Sequence, residues 1–181
     1  MKIREITDGD IPACMNIYNW YVRETTVTFD TSPMDREEYA RRIRKVTARY
    51  PWIVLESEKR VIGYAHLSPF SLRSAYRFMA DVTVYLDPEF RGKGYGRILM
   101  MELEALAKEA GYQKLISVIT AENKASVSMH EKLGYQKLMT MRNAGYKMGR
   151  WLDVLWFAKD IAAHENPPQE IQKVTVREKT V

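Results

Sequence analysis

A short run of glycines and cations at residues 91–97 is the part of this sequence best suited to binding a phosphorylated ligand. Gly92, Gly94 and Gly96 lack a Cβ atom, so the backbone can turn sharply there and approach a ligand closely. A helix is predicted to begin at about Gly94, and its first N–H groups and its dipole favour an anion. The other positions of the run are Arg91, Lys93, Tyr95 and Arg97. We call residues 91–97 the glycine loop and predict that it binds a diphosphate.

Two common phosphate-binding patterns do not fit the glycine loop. The dinucleotide pattern GxGxxG requires glycine or alanine at its last position, where this chain has Arg97. The P-loop pattern requires Ser or Thr after Gly-Lys, whereas Gly94 follows Lys93 here. The spacing that fits is Arg-x-x-Gly-x-Gly, formed by Arg91, Gly94 and Gly96. A glycine-rich turn that binds no ligand remains the alternative.

The composition indicates one globular domain and excludes several functional classes. The chain has 181 residues, of which 46% are hydrophobic and 28% charged, as in ordinary soluble proteins. No apolar run approaches the ~20 residues of a membrane span, and no signal peptide is recognisable. The single cysteine, Cys14, excludes an intrachain disulfide and favours a reducing, cytoplasmic location. The histidines and the cysteine have no metal-site spacing.

The net charge of +5 raises the question of nucleic-acid binding. The basic residues are spread along the chain, and no nucleic-acid motif accompanies them. Binding of a polyanionic cofactor accounts for part of the excess of basic residues, and a solvated basic surface accounts for the rest. We therefore predict no nucleic-acid partner.

Hydrophobic periodicity predicts the element order β-α-α-β-β-β-α-β-α-β-β, which is an α/β fold with a mixed sheet. Residues 78–86 form the central strand, and the helix after the glycine loop ends at Gly111. The apolar run 115–119 predicts a buried strand parallel to the central one. Residues 1–161 are predicted to form one domain and 162–181 a polar tail, with 174–176 as a candidate edge strand. The other predicted elements are strands 2–7, 52–56, 61–67, 135–142 and 151–157, helices after Asp8 or Asp10, at 35–49 and from Asn123, and an extended segment at 25–29.

Motifs along nearly the whole chain resemble one enzyme family. Besides the glycine loop they are Thr25-Thr26-Val27-Thr28-Phe29, Arg49-Tyr50-Pro51-Trp52, Ser74-Ala75-Tyr76, Val84-Tyr85-Leu86, Met129-His130-Glu131, Leu133-Gly134-Tyr135, Gly145-Tyr146-Lys147 and Gly149-Arg150-Trp151. The glycine loop resembles that of the GNAT superfamily of N-acetyltransferases, and the Tyr-Pro-Trp and Met-His-Glu segments resemble its phosphinothricin acetyltransferase branch. The resemblance implies a GNAT fold, with a mixed central sheet of about seven strands and about four helices. It also implies acetyl-CoA as the donor and the primary amine of a small amino-acid-like compound as the acceptor.

Asp81 is the candidate general base. An amine with a pKa of ~10.4 is protonated at neutral pH and must lose a proton before it attacks a thioester. Asp81 lies in the apolar central strand, where a carboxylate is costly unless it is solvated or paired. The family has a glutamate at this position, so the shorter aspartate is expected to act through a water. A paired or capping carboxylate is the alternative.

His130 and Asn123 each have a functional and a structural interpretation. Many superfamily members have a tyrosine where this chain has His130, and that tyrosine protonates the leaving thiolate. Histidine can donate a proton near neutral pH, but a histidine bonded to its own helix, for instance beside Glu131, is the alternative. Asn123 is predicted to cap its helix, with Ser126 in the first turn. The resemblance also places Asn123 at the pantetheine arm of CoA and implies that Ser126 contributes to cofactor binding.

The remaining site residues come from the resemblance. Val84, Tyr85 and Leu86 are expected to pair with the pantetheine arm through their backbone groups, as an added strand would. Residues near the acceptor are expected to be Phe29, Arg73, Ser74, Ala75, Tyr76 and Val154. Arg73 is suited to binding a carboxylate through two hydrogen bonds. For Phe29 and Val154 core packing is the preferred interpretation, and Trp151 and Trp156 are also interpreted as core residues.

We therefore predict an acetyl-CoA-dependent N-acetyltransferase that acts by direct attack in a ternary complex. Acetylation of a protein N-terminus or lysine is the nearest alternative, and a non-catalytic module that binds CoA or nucleic acid is another. Apolar residues in the last strands favour a homodimer. No metal site and no membrane association are expected.

Overall fold

The predicted mixed sheet is present in the computed structural model, which describes residues 1–181, and it has eight strands. The strands are β1 (Lys2–Glu5), β2 (Trp52–Ser57), β3 (Arg60–Pro69), β4 (Met79–Leu86), β5 (Lys114–Thr120), β6 (Gln136–Lys147), β7 (Arg150–Asp160) and β8 (Lys179–Thr180). The helices are α1 (Ile11–Glu24), α2 (Arg36–Thr47), α3 (Tyr95–Ala110) and α4 (Lys124–Lys132). The spatial order is β6-β7-β5-β4-β3-β2-β1-β8. None of the helices combines the length and the apolar character needed to cross a membrane.

Hydrophobic side chains cover both faces of the central strands. On one face α1 and α2 bury residues such as Tyr18 and Tyr39 against β2 and β3. On the other face α3 buries Leu99 and Leu103, which lie on one side of the helix because they are four residues apart. β4 contributes alternately to the two faces, since successive side chains of a strand point in opposite directions. The central strand is thereby fixed from both sides.

The pairing of β4 with β5 is parallel, as predicted, but it is short. It joins Met79 to Lys114, Ala80 to Leu115 and Asp81 to Ile116. β4 continues to Leu86 with β3 as its partner, while β5 continues to Thr120 with β7 as its partner. The two strands therefore separate after Asp81 and leave a cleft inside the sheet.

Three local expectations were wrong. Residues 26–28 form bends and residues 25–29 belong to no strand, because the N–H groups of Val27 and Asp30 bond to threonine hydroxyls two residues earlier. Trp151 and Trp156 are not core residues, since 62% of Trp151 is exposed at the start of β7 and Trp156 is only partly buried. Residues 174–176 do not pair; the edge strand is β8, which bonds to β1.

The polar segment after residue 161 follows the surface of the domain. Ile171, Val174 and Val176 pack against the α3 side of the core, and the Gln172 N–H donates to the carbonyl of Ala110 at 2.9 Å. β8 then covers the outer edge of β1. The division of the chain at residue 161 remains a prediction.

Candidate active site

The glycine loop has the backbone geometry of an anion-binding turn. Gly92 and Gly94 have φ of 75° and 85°, values that side chains with a Cβ rarely adopt, and the space beside each is open. Gly94 is the N-cap of α3, and no side chain caps the helix there. The first N–H groups of α3 are thus left for an acceptor from outside the helix. Packing also favours glycine at position 96, because a Cβ there would lie 3.3 Å from Met129 Sδ of α4.

The three cations of the glycine loop differ in their surroundings. The guanidinium of Arg91 lies 4.9 Å from the ring centre of Trp20 on α1, and its Nε donates to the carbonyl of Pro88 at 3.3 Å. Lys93 Nζ lies 5.0 Å from the ring centre of Phe90. Arg97 is exposed on the first turn of α3. All three therefore add positive charge around the helix N-terminus.

The cleft between β4 and β5 brings together five of the predicted cofactor and catalytic residues, namely Val84, Tyr85, Asn123, Ser126 and His130, but Asp81, Leu86 and the glycine loop are not part of its lining. It encloses about 90 Å³ and is lined by Val27, Val82, Thr83, Val84, Tyr85, Ser117, Val118, Ile119, Asn123, Ser126 and His130. The side chain of Tyr85 packs against Tyr18 of α1, so Tyr85 meets the cleft through its backbone. The carbonyl of Leu86, at the end of β4, accepts a hydrogen bond from the Tyr21 hydroxyl at 2.7 Å. Val27 was not singled out from sequence, because its contact with the cleft depends on how the α1–α2 connection folds back.

Asp81 lies at the last paired position before β4 and β5 separate. Its Oδ1 is buried without a hydrogen-bond partner. Burial raises the pKa of this carboxyl to about 6, and no neighbouring charge contributes to the shift. The carboxyl group is therefore neither ion-paired nor a helix cap.

His130 is almost fully buried in α4 and has a defined tautomer. Its Nδ1 lies 2.8 Å from the Ser126 carbonyl oxygen, which can only accept, so Nδ1 carries the proton in the neutral ring. Nε2 then has a lone pair, and it is buried without a partner. Burial lowers the pKa of the ring, so His130 is neutral at physiological pH. Its helix partner is the Ser126 backbone and not Glu131.

Asn123 caps α4 as predicted, since its Oδ1 accepts from the Ser126 N–H at 3.2 Å. This bond uses only the carbonyl half of the side chain. The two amide N–H donors are left for a ligand in the cleft that Asn123 lines.

The predicted acceptor residues lie in two separate places. Phe29 is 39% exposed and stacks on Gly145, where an added Cβ would lie 2.3 Å from the Phe29 ring. Val154 is buried on β7, paired with Thr120 and Met141. The other predicted residues belong to the turn that precedes β4, and none of them lines the cleft: Arg73, Ser74, Ala75 and Tyr76. No three His, Cys, Asp or Glu side chains are grouped so that they could hold a metal ion.

Comparison with known proteins identifies the family of this arrangement. Residues 14–135 match the model of the acetyltransferase (GNAT) family. Over 97% of this chain and 95% of the relative, the sequence is 35% identical to phosphinothricin N-acetyltransferase of Streptomyces viridochromogenes. It is 30% identical to the L-methionine sulfoximine/L-methionine sulfone acetyltransferase of Salmonella typhimurium, over 92% of this chain and 98% of that one.

A solved structure extends the similarity to the fold. The phosphinothricin acetyltransferase of Sinorhizobium meliloti, solved in complex with acetyl-CoA, superposes with a TM-score of 0.88. It is 32% identical, and the match covers 95% of this chain and 94% of that one. The GNAT fold predicted from the motifs is thereby confirmed.

The glycine loop generates a first prediction. Gly94→Val should weaken acetyl-CoA binding at least about tenfold, because a β-branched residue disfavours φ of 85° and adds bulk to the open space beside the N-cap of α3. Isothermal titration calorimetry measures the change. Gly149→Val is the matched control, since Gly149 has φ of 77° and open space but lies in the β6–β7 turn. Parental affinity in the Gly94 variant would contradict the assignment of the anion site.

Proposed function

This chain belongs to the GNAT acetyltransferase family, and from that premise we propose that it acetylates the primary amine of a small amino-acid-like compound. Acetyl-CoA is the co-substrate of the family. The observation that carries the proposal is Asp81, a buried and unpaired carboxyl group at the point where β4 and β5 separate. Asp81 does not line the cleft itself, and we propose that the thioester of the donor and the amine meet beside it, where the cleft begins.

The residues of the cleft fit acetyl-CoA. The N–H groups of Gly92 to Arg97 would hold the diphosphate, and the open backbone edge of Val84 would pair with the amide-bearing arm. The amide donors of Asn123 would bind a carbonyl of the same arm. When bound, acetyl-CoA supplies an acetyl group already activated as a thioester.

Asp81 is proposed to take the proton of the acceptor amine. With a pKa of about 6 the carboxyl is still ionised at neutral pH, and it is a stronger base than an ordinary aspartate. Aspartate is one methylene shorter than the glutamate of the family, so we propose that a water carries the proton from the amine to Asp81. Attack occurs directly, without an acetylated enzyme.

His130 is proposed to complete the proton transfer on the other side of the cleft. Its Nε2 must first accept a proton, because the bond from Nδ1–H to Ser126 leaves Nε2 unprotonated in the neutral ring. The attacking nitrogen loses two protons on its way from ammonium to amide; the first goes to Asp81, and the second is proposed to reach Nε2 after attack. Once protonated, Nε2 can return the proton to the departing thiolate. The lowered pKa of the ring favours this return.

The acceptor class follows the named activities of the relatives. Phosphinothricin, methionine sulfoximine and methionine sulfone are amino acids whose side chains carry a tetrahedral oxygenated group. We propose an acceptor of this chemistry, with a protein N-terminus or lysine as the alternative. A reducing cytoplasmic location belongs to the proposal and is supported by the single buried cysteine, Cys14.

We also propose that the chain forms a homodimer through the β6–β7 hairpin. Six large apolar side chains of this hairpin are 43–62% exposed: Leu138, Met139, Met141, Tyr146, Met148 and Trp151. No helix covers them, and an exposed apolar surface of this extent is uncommon on monomers. A second copy of the same hairpin offers a matching apolar surface through two-fold symmetry.

The acceptor proposal is tested by a thiol-release assay with acetyl-CoA. Methionine sulfoximine should give a higher kcat/KM than a peptide with a free N-terminus at the same concentration. A peptide that reacts faster would support the alternative. Tight acetyl-CoA binding without turnover of any amine would instead support a non-catalytic module.

Two substitutions test the base. Asp81→Asn should lower kcat by roughly 10²–10⁴-fold, the usual contribution of a general base, with acetyl-CoA affinity unchanged. In the parent, activity should fall as pH drops through about 6, because Asp81 becomes protonated, and this decline should be absent in the asparagine variant. Asp81→Glu should retain activity.

Thermal unfolding provides the control for the asparagine variant. A raised carboxyl pKa means that ionised Asp81 destabilises the fold above pH 6 and has no such effect below its unfolded pKa of 3.8. Asp81→Asn should therefore be at least as stable as the parent at pH 7.5. Parental kcat across the pH range would identify Asp81 as structural.

The dimer proposal is tested by light scattering after size-exclusion chromatography. The parent should have the mass of two chains, and Trp151→Glu should be monomeric because a charge in an apolar interface is costly. Met101→Glu, at a 48% exposed apolar position on α3, is the matched control and should remain dimeric. A monomeric parent would refute the proposal.

A further inference from the structure

The segment 26–29 between α1 and α2 is held by side chains from distant parts of the chain. We propose that Lys147, together with the Glu122–Arg150 ion pair, positions this segment as the acceptor-side wall of the cleft. The inference rests on the proposed function, because it assumes that an amine enters beside Val27 and Phe29. Val27 lines the cleft, and Phe29 lies partly exposed beside the β6–β7 hairpin.

Lys147 makes a buried hydrogen bond to the segment. Only 6% of the residue is exposed, and its Nζ donates to the carbonyl of Thr28 at 2.7 Å. Lysine is rarely buried, because removing an ammonium group from water is costly unless hydrogen bonds compensate. Here the partner is a backbone carbonyl of the segment itself. The Thr28 hydroxyl is also fixed, at 2.9 Å from the Tyr18 hydroxyl of α1.

The Glu122–Arg150 pair forms a second attachment. Two guanidinium nitrogens of Arg150 donate to the two carboxylate oxygens of Glu122 at 2.6 and 2.8 Å. The Thr26 hydroxyl donates to the same carboxylate. Glu122 directly precedes Asn123, the cap of α4, so one carboxylate joins segment 26–29 to the helix that carries His130.

The third attachment is steric. The Phe29 ring occupies the space where any side chain at position 145 would begin, so glycine is required there. Gly145, Lys147 and Arg150 all belong to the end of the β6–β7 hairpin. The hairpin therefore meets segment 26–29 directly at two points and through Glu122 at a third, whereas it makes no contact of this kind with the glycine loop. Substitutions in the hairpin should therefore change the KM of the acceptor and leave the KM of acetyl-CoA nearly unchanged.

The test compares three variants in the thiol-release assay, with methionine sulfoximine as the acceptor. Lys147→Met, which keeps the length and loses the charge, should raise the acceptor KM about tenfold or more, with the acetyl-CoA KM within about twofold of the parent. Arg150→Gln should also raise the acceptor KM, but by a smaller factor, because the ion pair of Arg150 is more exposed to solvent. Lys114→Met is the matched control, because Lys114 pairs with Asp160 at the other end of β5.

Hydrogen exchange gives a readout that does not depend on turnover. The amides of residues 26–30 should exchange faster in Lys147→Met and Arg150→Gln than in the parent, and at the parental rate in Lys114→Met. Unchanged exchange and an unchanged acceptor KM would overturn the inference. If Lys147→Met does not fold, Arg150→Gln decides by the same criteria. If the parent acetylates no amine, the proposed function fails on its own, and the exchange rates still decide whether these side chains hold the segment.

Discussion

The short parallel pairing between β4 and β5 is the constraint on which the rest of the site depends. Three pairs of residues join the two strands, and beyond Asp81 one edge of β4 has no neighbouring strand. Backbone N–H and C=O groups inside a protein require partners, so an unpaired edge within a sheet is a place for something else to bind. The fold meets part of this requirement itself, since the Tyr21 hydroxyl donates to the Leu86 carbonyl at the end of β4. An amide-bearing ligand would satisfy the remainder, in line with the proposed place of the pantetheine arm.

The same opening determines the protonation of the two proposed catalytic groups. Neither Asp81 nor His130 has a charged partner, and burial dominates the pKa of both. It raises the carboxyl pKa to about 6, which makes Asp81 a stronger base than an ordinary aspartate, and it lowers the imidazole pKa, which makes a protonated His130 a stronger acid. Both shifts favour the proposed roles, which are proton acceptance by Asp81 and proton donation by His130. A salt bridge at Asp81 would remove this property by lowering its pKa.

The sequence predicted well those features whose causes are local. Gly111 ends α3 with φ of 97°, and Asn123 caps α4 through its own side chain, both within one turn of the residue concerned. The segment 25–29 was misjudged because β-branched composition favours strands, whereas its backbone bonds to its own threonines and to Lys147, far along the chain. Trp151 was misjudged for a related reason. Hydrophobicity indicates burial, but the coverage of β7 depends on which strands the helices reach.

These distant contacts divide the site into two halves with different origins in the chain. The proposed donor half consists of β4, the glycine loop, α3 and α4, and it lies within residues 14–135, which are the part that matches the family model. The acceptor half, as proposed, also needs Lys147, Arg150 and Val154 from the hairpin that follows. Changes in the hairpin can therefore move segment 26–29 without disturbing the anion site at the N-terminus of α3. A fold arranged in this way can keep one donor chemistry while its acceptor preference changes, because the proposed halves meet only at Val27, at Asp81 and at the connection from Glu122 to α4.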